Sequence, residues 1–143
     1  MQTALEEARA AAARGEVPVG AVVTDARGAL LARAGNEVEA RRDPSAHAEM
    51  LALRAATRAV GDKHLEGATL WVTLEPCAMC AQAASLFRVT RVVFGAYDPK
   101  SGGVEHGAQV FRRPQCHHAP EVVGGVQEEA AAALLREFFA ARR

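Results

Sequence analysis

Apolar and polar positions run along the chain in blocks that predict four helices and five strands. Thr3 to Ala13 is built of Ala, Leu, Glu and Arg, all strong helix formers, and Gly15 suits its C-terminal stop. Val17 to Thr24 is short and β-branched and predicts a strand. Asp25-Ala26-Arg27-Gly28 then predicts a turn, and Ala29 to Ala34 the returning strand of a hairpin. Asn36 to Pro44 is polar and is expected to be a loop. Pro44-Ser45 opens a helix over Ala46 to Val60, which Gly61 ends. Thr69 to Leu74 predicts a strand, Cys77 to Phe87 a helix entered from Glu75-Pro76, and Arg91 to Gly95 a further strand. Lys100 to Gly107 is a Gly-rich loop. Glu121 to Val126 predicts a short last strand, and Gln127 to Ala141 an amphipathic helix. Helices alternating with strands in this order predict a layered α/β fold with helices on both sheet faces.

Composition narrows the setting. A chain of 143 residues, half of them hydrophobic, fits one domain spanning residues 1–143 with a real core. Three cysteines, an odd and low number, argue against a disulfide framework and for a reducing compartment. The N-terminal segment is acidic and lacks an apolar run, so it does not predict a signal peptide. No stretch approaches the ~20 apolar residues of a membrane span. A soluble, cytoplasmic protein is expected. Basic and acidic residues balance at 17 each, so no overall charge draws the chain to an anionic polymer. Local positive patches remain open, from Arg41-Arg42, Lys100, Arg112-Arg113, Arg136 and Arg142-Arg143.

The chemistry concentrates in His47-Ala48-Glu49 and Pro76-Cys77-Ala78-Met79-Cys80. One imidazole and two thiolates supply three of the four ligands of a tetrahedral zinc. Leaving the fourth position to water is the mark of a catalytic rather than a structural ion. Both motifs fall at predicted helix starts, where the partial positive charge of the helix end favours thiolates. Pro76 fits there because the first helical position needs no N–H. Cys77 and Cys80, spaced i,i+3, share one helical face. Glu49 lies two residues past the His ligand, within reach of the water without binding the metal.

Plainer readings compete. A Cys-x-x-Cys is also a redox motif or half of a zinc ribbon, but a ribbon needs a second Cys pair and the chain has none. Cys116-His117-His118 is a rival ligand cluster without the usual spacing, and reads as structural or as part of a substrate loop. His64 and His106 read as surface or loop residues, with His106 facing the active side. Trp71 reads as strand core. Of Phe138 and Phe139, one is expected in the core and one partly exposed.

The combined H-x-E…P-C-x-x-C pattern resembles the general signature of zinc nucleobase deaminases. Further segments narrow the resemblance: Glu16-Val17-Pro18-Val19-Gly20-Ala21, Asn36, Asp43-Pro44-Ser45-Ala46-His47-Ala48-Glu49, Thr73-Leu74-Glu75-Pro76-Cys77 and Val92-Val93-Phe94-Gly95-Ala96. With these the chain resembles, nearly end to end, the bacterial tRNA adenosine deaminases of the cytidine deaminase-like superfamily. The resemblance implies a three-layer fold with a mixed five-stranded sheet between helices, and a homodimer. It implies a tRNA anticodon stem-loop as substrate, its wobble adenosine converted to inosine. His47, Cys77 and Cys80 would hold one zinc per subunit, and Glu49 would shuttle protons. Asn36 would hydrogen-bond the purine, and the Ala48 N–H would meet its reacting edge. Val17 and Leu74 would wall the base pocket, Pro76 would also belong to the substrate site, and Asp98 would meet the nucleotide backbone. The chain departs from many members at Ala81 to Phe87, and its segments at 102–107 and 116–120 resemble a subgroup. Two rivals are a small-molecule deaminase of guanine, cytosine or a nucleoside, and a silent zinc scaffold. The retained Glu49 argues against the scaffold.

Overall fold

The computed structural model describes residues 1–143. Its helices are α1 (Gln2–Ala13), α2 (Val38–Arg41), α3 (Ala48–Val60), α4 (Ala78–Leu86) and α5 (Glu128–Ala140). Its strands are β1 (Gly20–Thr24), β2 (Leu30–Gly35), β3 (Thr69–Leu74), β4 (Arg91–Ala96) and β5 (Glu121–Val123). They form one mixed sheet in the order β2-β1-β3-β4-β5. β1 runs antiparallel to both β2 and β3, whereas β3, β4 and β5 are parallel. A parallel pair requires a crossover, and α4 supplies it between β3 and β4.

Strand alternation sorts the helices into two layers. Ala21 and Val23 of β1, Leu70 and Val72 of β3, and Val92 and Phe94 of β4 face one side. There they bury Ala48, Ala52, Leu53 and Ala56 of α3 and Ala81 and Ala84 of α4. The opposite face carries α1 and α5, where Leu5, Ala96 and Ala131 form a smaller cluster. Gly20 explains how closely α1 lies on the sheet. A Cβ there would stand 1.9 Å from the Ala4 carbonyl oxygen, so glycine alone permits the contact.

Three boundaries differ from the sequence expectation. The first strand starts at Gly20, not Val17: Pro18 has no N–H for a ladder, and the Val19 N–H turns back to the Val17 carbonyl at 2.8 Å. The polar segment after Asn36 contains the single helical turn α2. Its N-terminal N–H groups at Glu39 and Ala40 are capped from outside by the buried Glu16 carboxylate, at 3.0 and 2.9 Å. The last strand stops at Val123, and the next residue, Gly124, packs against Phe94, whose ring a Cβ would approach to 2.6 Å. Trp71 is half-buried rather than core, and its Nε1–H donates to Thr24 Oγ1 at 3.0 Å. Phe138 is buried and Phe139 is 49% exposed, as expected of the pair.

Candidate metal centre and substrate cavity

The end of the sheet where β3 and β4 terminate carries the functional side chains, at the strand where antiparallel neighbours give way to parallel ones. Open α/β sheets place ligands in this kind of crevice. His47 is the N-cap of α3 and Cys77 the N-cap of α4, both with extended backbone. Neither side chain caps its own helix, so both are free to point at a shared point. Cys80, one turn into α4, completes the group.

The ligand atoms of His47, Cys77 and Cys80 all lie within 4.8 Å of one another. His47 Nδ1 stands 3.6 Å from Cys77 Sγ and 3.5 Å from Cys80 Sγ. With zinc bonds of about 2.0–2.1 Å to nitrogen and about 2.3 Å to sulfur, the N···S edge of a tetrahedron is about 3.6 Å. Both N···S edges therefore already have the length that a zinc site with one open position requires. The Cys77 thiol is lowered to about 4, first because Cys80 donates to its sulfur and also because His47 lies beside it. The same hydrogen bond, with burial and the charge of Glu49, pushes the Cys80 thiol up. His47 is raised by its hydrogen bond with Cys77.

Glu49, in the first turn of α3, is only 4% exposed. Burial raises its carboxyl above the ordinary range. Asn36 closes the same helix end, its Oδ1 accepting the Ala48 N–H at 2.9 Å. A cavity of about 670 Å³ opens here. Of the residues singled out in the sequence, Val17, Asn36, His47, Glu49, Leu74, Cys77 and Asp98 line it together. Ala48 and Pro76 do not reach its wall. The Ala48 N–H is taken by Asn36, and Pro76 is buried with its carbonyl accepting the Gly103 N–H at 2.8 Å. Asp98 Oδ1 accepts the N–H groups of Lys100 and Ser101, which sets its loop.

Two contributors went unread in the sequence. Glu75, between strand and Pro76, has a fully buried side chain. Its Oε1 accepts the Asp98 N–H at 3.0 Å and faces His106 Nδ1 at 2.8 Å. Its Oε2 accepts the N–H groups of Val104, Glu105 and His106 at 3.2, 2.9 and 3.0 Å. Burial alone would raise this carboxyl, but those donors outweigh it and hold it below the usual range. Glu75 thus ties the 98–106 loop beneath the turn that bears Cys77. Glu16 is the second, as the cap of α2 and part of the cavity wall. The end of α5, singled out in the sequence for its arginines and phenylalanines, joins them: Arg142 stacks over Phe138 at 3.4 Å and both line the cavity. The signal for the two glutamates was a carboxylate set among strand-forming residues.

Cys116 and His118 serve structure. His118 Nε2–H donates to the Val89 carbonyl at 2.7 Å, and Ser85 Oγ donates to the His118 carbonyl at 2.6 Å. Among the basic candidates, Arg41, Arg112 and Arg136 are engaged by Glu37, Glu105 and Glu129, and Arg142 reaches the cavity. No helix is long and apolar enough to cross a membrane.

Comparison with known proteins agrees with this geometry. Residues 1–96 match the family model for the cytidine and deoxycytidylate deaminase zinc-binding region. A tRNA-specific adenosine deaminase of Agrobacterium fabrum is 50% identical over the whole of this chain and 93% of its own length. The tRNA-specific adenosine deaminase of Bacillus subtilis is 48% identical over 97% of this chain and 86% of its own. A solved structure from studies of A-to-I editing by tRNA:A34 deaminases at the wobble position is 49% identical, with a TM-score of 0.92. It covers 94% of this chain and 97% of that one. A guanine deaminase of Nitrosomonas europaea shares the fold at a TM-score of 0.82 with 28% identity, over 97% of this chain and 82% of its own.

Proposed function

Because the chain belongs to the cytidine and deoxycytidylate deaminase family, we infer that it is a zinc-dependent hydrolase converting adenosine to inosine at the wobble position of a tRNA anticodon loop. The observation that carries the chemistry is the His47/Cys77/Cys80 cluster, its N···S edges of zinc-site length, with the buried Glu49 beside it. The substrate follows from near-half identity to tRNA-specific deaminases over almost the full length, against 28% for the guanine deaminase.

Bound by His47, Cys77 and Cys80, zinc supplies the Lewis acidity that makes water a nucleophile near neutral pH. Glu49 takes a proton from that water and gives one to a ring nitrogen of the purine. Water oxygen bonds to the amino-bearing carbon; Glu49 then takes the second proton from that oxygen and passes it to the amino group, so that the C–N bond breaks, ammonia leaves and the carbonyl of inosine forms. The raised carboxyl of Glu49 suits both halves of this exchange. Asn36, whose Oδ1 is held by the Ala48 N–H, presents its amide N–H to the purine. The Ala48 N–H acts through Asn36, and Pro76 acts by fixing the turn at Cys77. Val17 and Leu74 wall the base, and Asp98 meets the nucleotide backbone from its fixed loop. A base splayed from a single-stranded loop is read in such a pocket, which a protein with balanced charge can do.

Residues 1–143 act as one deaminase domain, in the cytoplasm where tRNA is processed. The active form is a homodimer. The exposed apolar side chains of α4, Met79 at 38% and Leu86 at 66%, support a second copy seated on that helix. Light scattering at working concentration is expected to give twice the chain mass. The functional test is inosine formation in an anticodon stem-loop, set against ammonia release from free guanine, cytosine and nucleosides. Activity confined to the free compounds would replace the tRNA reading with the small-molecule one.

A further inference from the structure

Five arginines converge on a second cleft, of about 330 Å³, outside the substrate cavity. Arg14 comes from the C-cap of α1, Arg33 from β2, Arg41 from α2, and Arg54 and Arg58 from α3. All five are exposed. Against them the lining carries two carboxylates, Glu7 and Glu37. Arg33 pairs with Glu6 and Glu7, and Arg41 with Glu37. Arg14, Arg54 and Arg58 have no carboxylate at ion-pair distance. On a chain with 17 bases and 17 acids, this is a concentrated local excess of cation.

The cleft and the cavity share a wall. Gly15, Glu16, Asn36 and Val38 line the cavity, while their chain neighbours Arg14, Gly35 and Glu37 line the cleft. Arg14 Nη2 donates to the Asn36 carbonyl at 3.3 Å, joining the two sides. Arg54 and Arg58 ride on the helix that begins at His47, about 9 and 15 Å along its axis from Ala48 at 1.5 Å per residue.

We propose that this cleft grips the phosphodiester backbone of the RNA on one side of the nucleotide being deaminated. The proposal rests on the tRNA reading above. A base splayed into the cavity leaves its neighbours' phosphates outside, and guanidinium forks match phosphate oxygens two at a time. Ordinary structural duties explain some of the arginines singly. Arg14 and Arg58 sit at helix C-termini, which favour cations. Arg33 lies on the edge strand β2, where charge discourages pairing with another chain. Those duties leave Arg54 with only the longer-range attraction of Asp43, and they give no reason for five cations to face one concavity.

The test is steady-state deamination of an adenosine-containing anticodon stem-loop at several salt concentrations. It compares the parent with the Arg54→Gln/Arg58→Gln and Arg54→Lys/Arg58→Lys double variants. The glutamine pair is expected to raise KM roughly tenfold with kcat held. It should also flatten the plot of log kcat/KM against log salt by about 1.5, two phosphate contacts at roughly 0.7–0.9 each. The lysine pair should keep the parent's salt slope. Parent-like KM and slope in the glutamine pair would overturn the proposal. So would equal losses of melting temperature and kcat in both pairs, which would mark the arginines as structural. Should the glutamine pair misfold, Arg58→Gln alone carries the test at about half the slope change. A parent that leaves the stem-loop adenosine intact strikes the tRNA reading itself, and the cleft's role with it.

Discussion

Replacing Glu75 by glutamine removes the charge from the most heavily used acceptor in the molecule while keeping its shape. The carboxylate accepts four backbone N–H groups and faces the His106 ring, with its side chain fully buried. A glutamine turned with its oxygen toward Val104, Glu105 and His106 keeps three of those acceptances in neutral form. Its NH₂ then faces the Asp98 N–H, and two donors stand opposed. One stranded donor costs about 1–3 kcal/mol, and the surviving bonds lose the strength that a charged acceptor gives. A total of about 2–4 kcal/mol follows, or a fall in melting temperature on the order of 10 °C for a chain of this size. Differential scanning calorimetry of the zinc-loaded proteins measures it. The pH dependence has a fixed sign. Because the folded carboxyl is held below its ordinary range, its stabilisation is present above the unfolded value and is lost as pH falls through the folded one. The gap between parent and variant should therefore be full at neutral pH and close in acid, below about 4. A variant melting within 2 °C of the parent at neutral pH (a gap of well under about 1 kcal/mol) would refute the reasoning.

Glu49→Gln should retain zinc, measured by atomic emission, and lose about 10²–10⁴-fold in inosine formation. His47→Ala or Cys80→Ser should lose the metal and activity together, and chelation of the parent should do the same reversibly when zinc is returned. Gly103→Ala places a Cβ 2.5 Å from Ala78 N and 2.8 Å from the Cys77 carbonyl carbon. Backbone must move beneath the ligand, so calorimetry should show a loss of about 1–3 kcal/mol and competition assays a weaker hold on zinc. Asn36→Ala removes the acceptor for the Ala48 N–H, at about 1 kcal/mol of stability, and should lower kcat/KM for the stem-loop well beyond that stability loss.

The sheet and the four long helices were legible because each carries its own period and its own stops, such as Gly61 after α3. The metal triangle was legible because its spacing is local: an i,i+3 thiol pair at one helix start and an imidazole at another. Joining the two across 30 residues took the recognised pattern rather than periodicity. What stayed hidden depends on the folded chain meeting itself. Glu16 caps a helix turn more than 20 residues away, and Glu75 gathers donors from a loop 23 to 31 residues on. The strand at Val17 was misread because β-branched residues look alike in a strand and in the turn that Pro18 imposes. Arg142 reached the cavity wall through the docking of α5, which no local pattern announces.

The most direct measurement is nucleotide-resolution mapping of inosine in an anticodon stem-loop after incubation with the zinc-loaded protein. Inosine should appear at the first anticodon position alone, with ammonia released in equal amount and neither product formed by Glu49→Gln. An unaltered wobble adenosine alongside brisk ammonia release from free guanine or cytosine would contradict the account.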